Sequence, residues 1–138
     1  MDKIFYTSGY KYQLHKDAMV QTGIIPTEPI FTQFIDLSAT GLLIIRAGYA
    51  WDGPSGPTID RPKKHVMRGA LVHDALYQLM RLKLLPQSFR HRIDRIAYDI
   101  WISDGMWKFR AKIWLRELGK FAGFAADPKN VKQIYEAP

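Results

Sequence analysis

The fold is decided by residues 66–80, which read VMRGALVHDALYQLM. Within this run, apolar or small side chains recur at spacings of three and four residues, which places them on one face of a helix. The stripe predicts an amphipathic helix whose inward face carries one imidazole, that of His73. The members of the stripe are Val66, Ala70, His73, Tyr77 and Met80.

A second helical pattern follows after a short break. Pro86 cannot continue the first helix, and Ser88 is a candidate cap for the next one. The second pattern ends near Asp104 and Gly105, and a third helix is predicted from about residue 106 to 124. Because few residues separate the first two helices, we expect them to pack as an antiparallel pair. The apolar stripe of the second helix is Phe89, Ile93, Ile96, Ala97 and Ile100.

The sequence changes character near residue 60. Upstream of it, short strand-like segments are separated by glycines and prolines, at residues 11–14, 18–21, 31–37 and 42–47. A Gly/Pro-rich loop, WDGPSGPT at residues 51–58, joins this part to the helices. The predicted fold class is α+β, with a small N-terminal sheet, the loop and three helices. We expect a single domain over residues 1–138, strand-rich over 1–60, helical over 61–125 and ending in a tail over 126–138.

Charge and composition limit the classes of partner that the protein can bind and the classes of protein to which it can belong. The net charge is +7, which suits an anionic lipid surface, a phosphorylated ligand or nucleic acid. The absence of cysteine excludes a disulfide-stapled secreted scaffold. No signal peptide and no transmembrane segment are predicted, and the oligomeric state is left open.

Residues 101–116 mix aromatic and basic side chains. The mixture predicts either a basic-aromatic surface for an anionic partner or an ordinary amphipathic helix with solvated cations. The side chains concerned are Trp101, Trp107, Phe109 and Trp114 with Lys108, Arg110, Lys112 and Arg116.

The helix pair predicts one polar site. His73 points inward and Asp74, about 100° further round the helix, points to the flank. Asp94, beside the inward stripe of the second helix, is a natural partner for a buried imidazole. Such a pair either satisfies two buried polar groups or orients a histidine that takes a proton from water. Asp52, in the Gly/Pro-rich loop, is a candidate fourth member.

The run HDALY at residues 73–77, followed by Asp94, resembles the catalytic helices of phospholipase A2. That superfamily has a His-Asp-x-x-Tyr motif on one helix, an Asp on its antiparallel partner and an upstream calcium loop. The likeness is to the bacterial and parvoviral versions.

The resemblance implies a role for each matching residue. His73 would be the general base on water, Asp94 would orient it and Tyr77 would brace Asp94. Calcium would be held by two carboxylates and by loop carbonyls, and would stabilise the oxyanion of an ester substrate. The implied calcium ligands are Asp52 and Asp74, with carbonyls around Trp51 and Gly53.

A second resemblance covers about residues 45–120. Residues 48–55, GYAWDGPS, then residues 71–77, LVHDALY, and Asp94 look like a family of short phage and prophage proteins of unassigned function. This likeness implies a phage origin, and with it a place in the host cytoplasm during infection or in the virion.

Two other interpretations stay open. An HD-type metal phosphohydrolase would draw on His65, His73, Asp74 and Asp94. A non-catalytic phage accessory protein, either a virion component or an inhibitor of a host system, would keep the polar cluster without using it. His15 and His91 fit no ligand spacing and are interpreted as surface residues.

Overall fold

The structure is a computed structural model that describes residues 1, 3–7, 12–51 and 65–116. The described residues fall into two compact units, one strand-rich and one helical. The division lies close to the change in sequence character near residue 60.

The strand-rich unit contains seven short strands in two antiparallel sheets. One sheet has the order β1-β2-β7 and the other the order β3-β6-β5-β4. The strands are β1 (Tyr6–Thr7), β2 (Tyr12–Leu14), β3 (Ala18–Gln21), β4 (Ile30–Phe31), β5 (Ile35–Leu37), β6 (Leu42–Ile45) and β7 (Ala50–Trp51).

The four-stranded sheet has one buried and one more exposed face, because side chains alternate along each strand. Leu43 pairs with Leu37, which pairs with Ile30, and all three are buried. The neighbouring row runs across the sheet through Met19, Ile44, Asp36 and Phe31, and its two end residues are exposed. The Asp36 carboxylate in this row forms an ion pair with Arg46.

The helical unit contains α1 (Met67–Arg81), a short 3-10 helix (Gln87–Phe89) and α2 (Arg90–Ser103). Residues 108–116 form the described part of a third helix, α3. None of the described helices is both long enough and apolar enough to cross a membrane. The core of this unit contains Val66, Ala70, Ala97, Tyr98, Trp101, Met106, Ala111 and Trp114.

Both long helices end in the same backbone motif. The amide of Leu84 donates to the Leu79 carbonyl in α1, and the amide of Met106 donates to the Trp101 carbonyl in α2. These are the six-to-one bonds of a Schellman cap, whose key residue adopts a left-handed conformation. Gly105 fills that position in α2 at φ 101°, whereas the non-glycine Lys83 fills it in α1 at φ 61°.

An ion pair ties the start of α1 to the end of α2. The Arg68 guanidinium donates to both oxygens of Asp104, with an Nε to Oδ2 distance of 2.9 Å. Helix ends that meet in this way belong to antiparallel helices. The predicted α+β class and the predicted antiparallel pair are therefore confirmed.

Three local predictions need correction. The segment 31–37 is two strands, because the Thr32 hydroxyl accepts from the Ile35 amide and donates to the Ile35 carbonyl, which turns the chain. Ser88 does not cap α2, because it lies inside the 3-10 helix that precedes it. Trp101 and Trp114 are buried, so the predicted basic-aromatic surface retains Trp107 and Phe109 alone. Residues 52–58 of the loop and residues beyond 116 lie outside the described residues.

The helices α1 and α2 pack closely against one another at Gly69. A methyl group there would lie 2.3 Å from Nε1 of Trp101 and 3.0 Å from the carbonyl oxygen of Ala97. The indole itself is anchored, since its Nε1 donates to the Val66 carbonyl at 3.1 Å. Gly69 is therefore required by helix packing.

We expect Gly69→Ala to destabilise the fold. In an unobstructed helix this change stabilises by roughly 0.5–1 kcal/mol. Here the clash with an anchored indole costs about 1–3 kcal/mol, as overpacked cores do. Urea unfolding measures the difference, and a variant more stable than the parent would contradict the close packing of Gly69 against Trp101.

Candidate active site

The centre of the helix pair holds a buried His–Asp–Tyr cluster. Nε2 of His73 lies 2.8 Å from Oδ1 of Asp94, 21 residues later in the chain. The Tyr77 hydroxyl donates to the same oxygen at 2.6 Å. All three side chains are buried. The structure thus brings together the three residues for which the sequence predicts a catalytic role.

The shared oxygen determines which nitrogen of His73 carries the proton. An ionised carboxylate accepts hydrogen bonds and donates none, so Nε2 must be the donor to Asp94. In the neutral imidazole Nδ1 is then the acceptor. Nδ1 is the nitrogen nearer to Asp74, 3.8 Å from its Oδ1. The basic nitrogen, Nδ1, therefore lies on the side of Asp74, whose carboxylate is partly exposed.

Tyr77 supports the imidazole in two ways. Its ring lies against that of His73, with centroids 3.9 Å apart and planes inclined by 34°. Burial raises the pKa of the Tyr77 hydroxyl, and the bond to Asp94 raises it further, so the group stays protonated. The protonated hydroxyl is the donor in its hydrogen bond to Asp94.

The carboxylates reverse the effect of burial on His73. Burial alone lowers the pKa of an imidazole, since it disfavours the charged form. The hydrogen bond with Asp94 and the negative charges of Asp74 and Asp94 outweigh this and raise the pKa of His73 above its ordinary value of 6.5. Asp74, whose side chain is 31% exposed, is the carboxylate of the two that solvent or a ligand can reach.

The structure adds two residues that sequence patterns do not suggest. Gln78 and Arg81 are buried in the last turns of α1, and Oε1 of Gln78 accepts from Arg81 at 2.8 Å and 3.1 Å. Arg81, together with Arg90, places positive charge near Tyr77, which opposes the rise in its pKa. A Gln and an Arg three residues apart are ordinary on an exposed helix face, so only the burial of most of α1 reveals them.

The predicted metal ligands lie on different elements. Asp74 belongs to α1 and Trp51 to strand β7, whereas Asp52 and Gly53 lie outside the described residues. Among the described residues, no three His, Asp or Glu side chains are arranged to hold a metal ion.

The ligand set of an HD-type phosphohydrolase is not assembled. His65 lies beside Gly105, at the end of α2. Asp94 is 11 residues from Gly105, and a helix rises about 1.5 Å per residue, so the two are separated by about 16 Å along the helix. His65 and Asp94 therefore cannot share an ion.

Comparison of the chain with models of protein families, with curated proteins and with solved structures finds no match.

Removing the charge of Asp74 should lower the pKa of His73. In Asp74→Asn the imidazole remains buried but loses one of the two carboxylates that favour its protonated form. Two-dimensional NMR titration of the ring protons, in chelator, measures the shift. The ring protons of His91, which is exposed on α2, provide an internal reference in the same spectra.

The same pKa links pH to stability. Because the folded-state pKa of His73 exceeds the unfolded value, its protonation stabilises the fold fully below about pH 6.5. That contribution is lost as the pH rises through the folded-state pKa. A His73 that titrates below 6.5 in the parent protein would contradict the assignment of both carboxylates as its partners.

Proposed function

We propose that the chain is an ester hydrolase in which His73 is the general base, with a site that resembles that of phospholipase A2. The observation that supports the proposal is the orientation of the imidazole. Nε2 of His73 donates to Oδ1 of Asp94 at 2.8 Å, which leaves Nδ1 as a base on the side of Asp74. A buried pair with no task beyond satisfying its own polar groups needs no partly exposed carboxylate beside the second nitrogen.

In the proposed reaction Nδ1 of His73 accepts a proton from water as the water oxygen bonds to the ester carbonyl carbon. The resulting imidazolium is flanked by Asp74 and Asp94, which stabilise its charge. The imidazolium then returns the proton to the departing alkoxide as the ester C–O bond breaks. The products are a carboxylic acid and an alcohol, and His73 ends in its starting state.

Asp94 and Tyr77 act as positioning residues in this scheme. The 2.6 Å bond from the Tyr77 hydroxyl fixes Asp94 Oδ1, and that oxygen fixes the imidazole plane. Since both bonds use one oxygen, an asparagine at position 94 retains both acceptor contacts. Replacement of His73 removes the base itself.

Calcium is proposed as the cofactor, with Asp74 as a ligand. The donor chemistry fits, because calcium prefers carboxylate oxygens and Asp74 is partly exposed. Within the described residues, the ion pairs of Asp74 involve His73 alone, so no Lys or Arg there occupies its carboxylate. A bound calcium ion would polarise the ester carbonyl. Asp52, with carbonyls of Trp51 and Gly53, is the proposed remainder of the ligand set.

We also propose, from the resemblance of residues 45–120, a phage origin and a place in the host cytoplasm during infection or in the virion. The competing function is that of a non-catalytic accessory protein. It becomes the conclusion if the parent protein cleaves no ester.

His73→Ala should reduce ester cleavage by about 10²–10⁴-fold, the usual contribution of a general base. Asp94→Asn should reduce the rate of cleavage less, because asparagine keeps an oxygen that accepts from His73 and Tyr77. Release of fatty acid from dispersed anionic phospholipid, with calcium and with chelator, measures the rate. The rate should rise as the pH passes through the raised pKa of His73, because the base must be neutral.

The matched control is His91→Ala, which removes an exposed histidine of α2 and should leave the rate unchanged. Thermal melts of each variant separate loss of the base from loss of the fold. Cleavage by His73→Ala at the parental rate, in a folded variant, would exclude His73 as the base.

Calcium should stabilise the folded protein through Asp74. A ligand that binds the native state alone adds about 2.7 kcal/mol at a hundredfold excess over Kd. For a chain of this size that raises the melting temperature by roughly 5–10 °C. Magnesium should do much less, since it demands a tighter octahedral shell.

Asp74→Asn should abolish the calcium shift, whereas Asp99→Asn should not, because Asp99 is an exposed carboxylate paired with Arg95. Equal melting temperatures of the parent in millimolar calcium and in chelator would exclude the metal site.

A further inference from the structure

The start of α3 has an unusual distribution of charge. Residues 105–116 contain four cationic side chains and no acidic one. Three of the cations, Lys108, Lys112 and Arg116, are exposed and spaced four residues apart, so they form one stripe along the helix. Ala111 and Trp114 are buried in the core on the other side.

Two large aromatic side chains project beside this stripe. Trp107 is 83% exposed and Phe109 is 76% exposed. Trp107 precedes α3, and its carbonyl accepts from the Ala111 amide at 2.9 Å. Exposing two such rings to water is unfavourable, because the removal of large apolar side chains from solvent stabilises a protein or a complex. Together with the cation stripe, the rings form what we call the basic-aromatic face.

We propose that the basic-aromatic face docks the protein onto a bilayer that contains anionic phospholipid. Trp and Phe enter the boundary between headgroups and acyl chains, as aromatic anchors of interfacial helices do. The ammonium groups of Lys108 and Lys112 reach the lipid phosphates while their methylene stems lie in the apolar layer.

The shape of the face favours a membrane over nucleic acid. Proteins that bind single strands stack bases on aromatic rings along a positively charged groove. Trp107 and Phe109 instead project into solvent with most of their surface free. Projecting rings flanked by cations match a planar, negatively charged interface.

The face lies at a defined end of the helix pair. Asp104, three residues before Trp107, binds Arg68 at the start of α1. His73 is five residues beyond Arg68, about 7.5 Å along the helix axis. None of the docking residues belongs to the His73 cluster, so docking and hydrolysis are separable: His73→Ala should bind vesicles as the parent does.

The fluorescence of Trp107 reports directly on docking. The chain has four tryptophans, and the other three, Trp51, Trp101 and Trp114, are buried. Adding vesicles of phosphatidylcholine with phosphatidylglycerol should shift the emission to the blue, and brominated lipid should quench it. Vesicles of phosphatidylcholine alone should do neither at the same concentration. Unchanged emission with both vesicles would overturn the proposal without any variant.

Matched variants test each half of the face by vesicle co-sedimentation. Lys108→Glu with Lys112→Glu should weaken binding by roughly tenfold or more, since each cation near an anionic surface contributes severalfold. The control, Lys3→Glu with Lys83→Glu, makes the same change in net charge at exposed positions elsewhere and should weaken binding far less. Equal losses would show a nonspecific charge effect and overturn the proposal.

The aromatic half is tested by Trp107→Ala with Phe109→Ala, which should lose vesicle binding even in low salt. Its control is Phe31→Ala with Leu84→Ala, two exposed apolar residues outside the face. Binding of a fluorescent single-stranded oligonucleotide by the parent, with no vesicle binding, would assign the face to nucleic acid and overturn the membrane proposal.

Discussion

The packing of α1 against α2 depends on one carboxylate oxygen of Asp94. Oδ1 of Asp94 accepts from the imidazole of His73 and from the hydroxyl of Tyr77, both of them on α1. A buried carboxylate without such donors would be strongly destabilising, at about 3–5 kcal/mol when a partner is removed from a buried pair. The two helices must therefore meet in the one register that brings both donors to this oxygen. The tautomer of His73, the position of its basic nitrogen and the exposure of Asp74 all follow from that register.

A second polar contact fixes the same register at one end of the pair. Arg68 and Asp104 join the beginning of α1 to the residue that caps α2. Gly69, next to Arg68, lets the indole of Trp101 approach the α1 backbone. Apolar packing alone tolerates sliding between helices, whereas paired polar groups and a close glycine contact do not. The site is thus held by the elements that define the fold.

Periodicity predicted what depends on local spacing. The inward stripe of α1 is buried from Val66 to Met80, and Asp94 lies opposite His73 because both sit near inward stripes of consecutive helices. It could not show that Thr32 turns the chain within 31–37, since that depends on one hydroxyl bonding across three residues. Nor could it separate Trp101 and Trp114 from Trp107 and Phe109, because the two pairs differ only in which neighbours pack on them. The burial of the Gln78–Arg81 pair could not be predicted from periodicity for the same reason.

The two Schellman caps limit where residues can be inserted into or deleted from a sequence with this fold. Each helix has a fixed end, at Lys83 for α1 and at Gly105 for α2. A residue inserted into either helix therefore cannot be accommodated by unwinding of the helix end. One residue inserted between Asp94 and Asp104 would rotate the two by about 100° relative to one another, so they could not both reach α1. The segment between the Lys83 cap and the start of α2 carries no such constraint. Insertions and deletions that preserve the His73 cluster should therefore accumulate there, and a homologue would be recognised by constant spacing on either side of a variable connection.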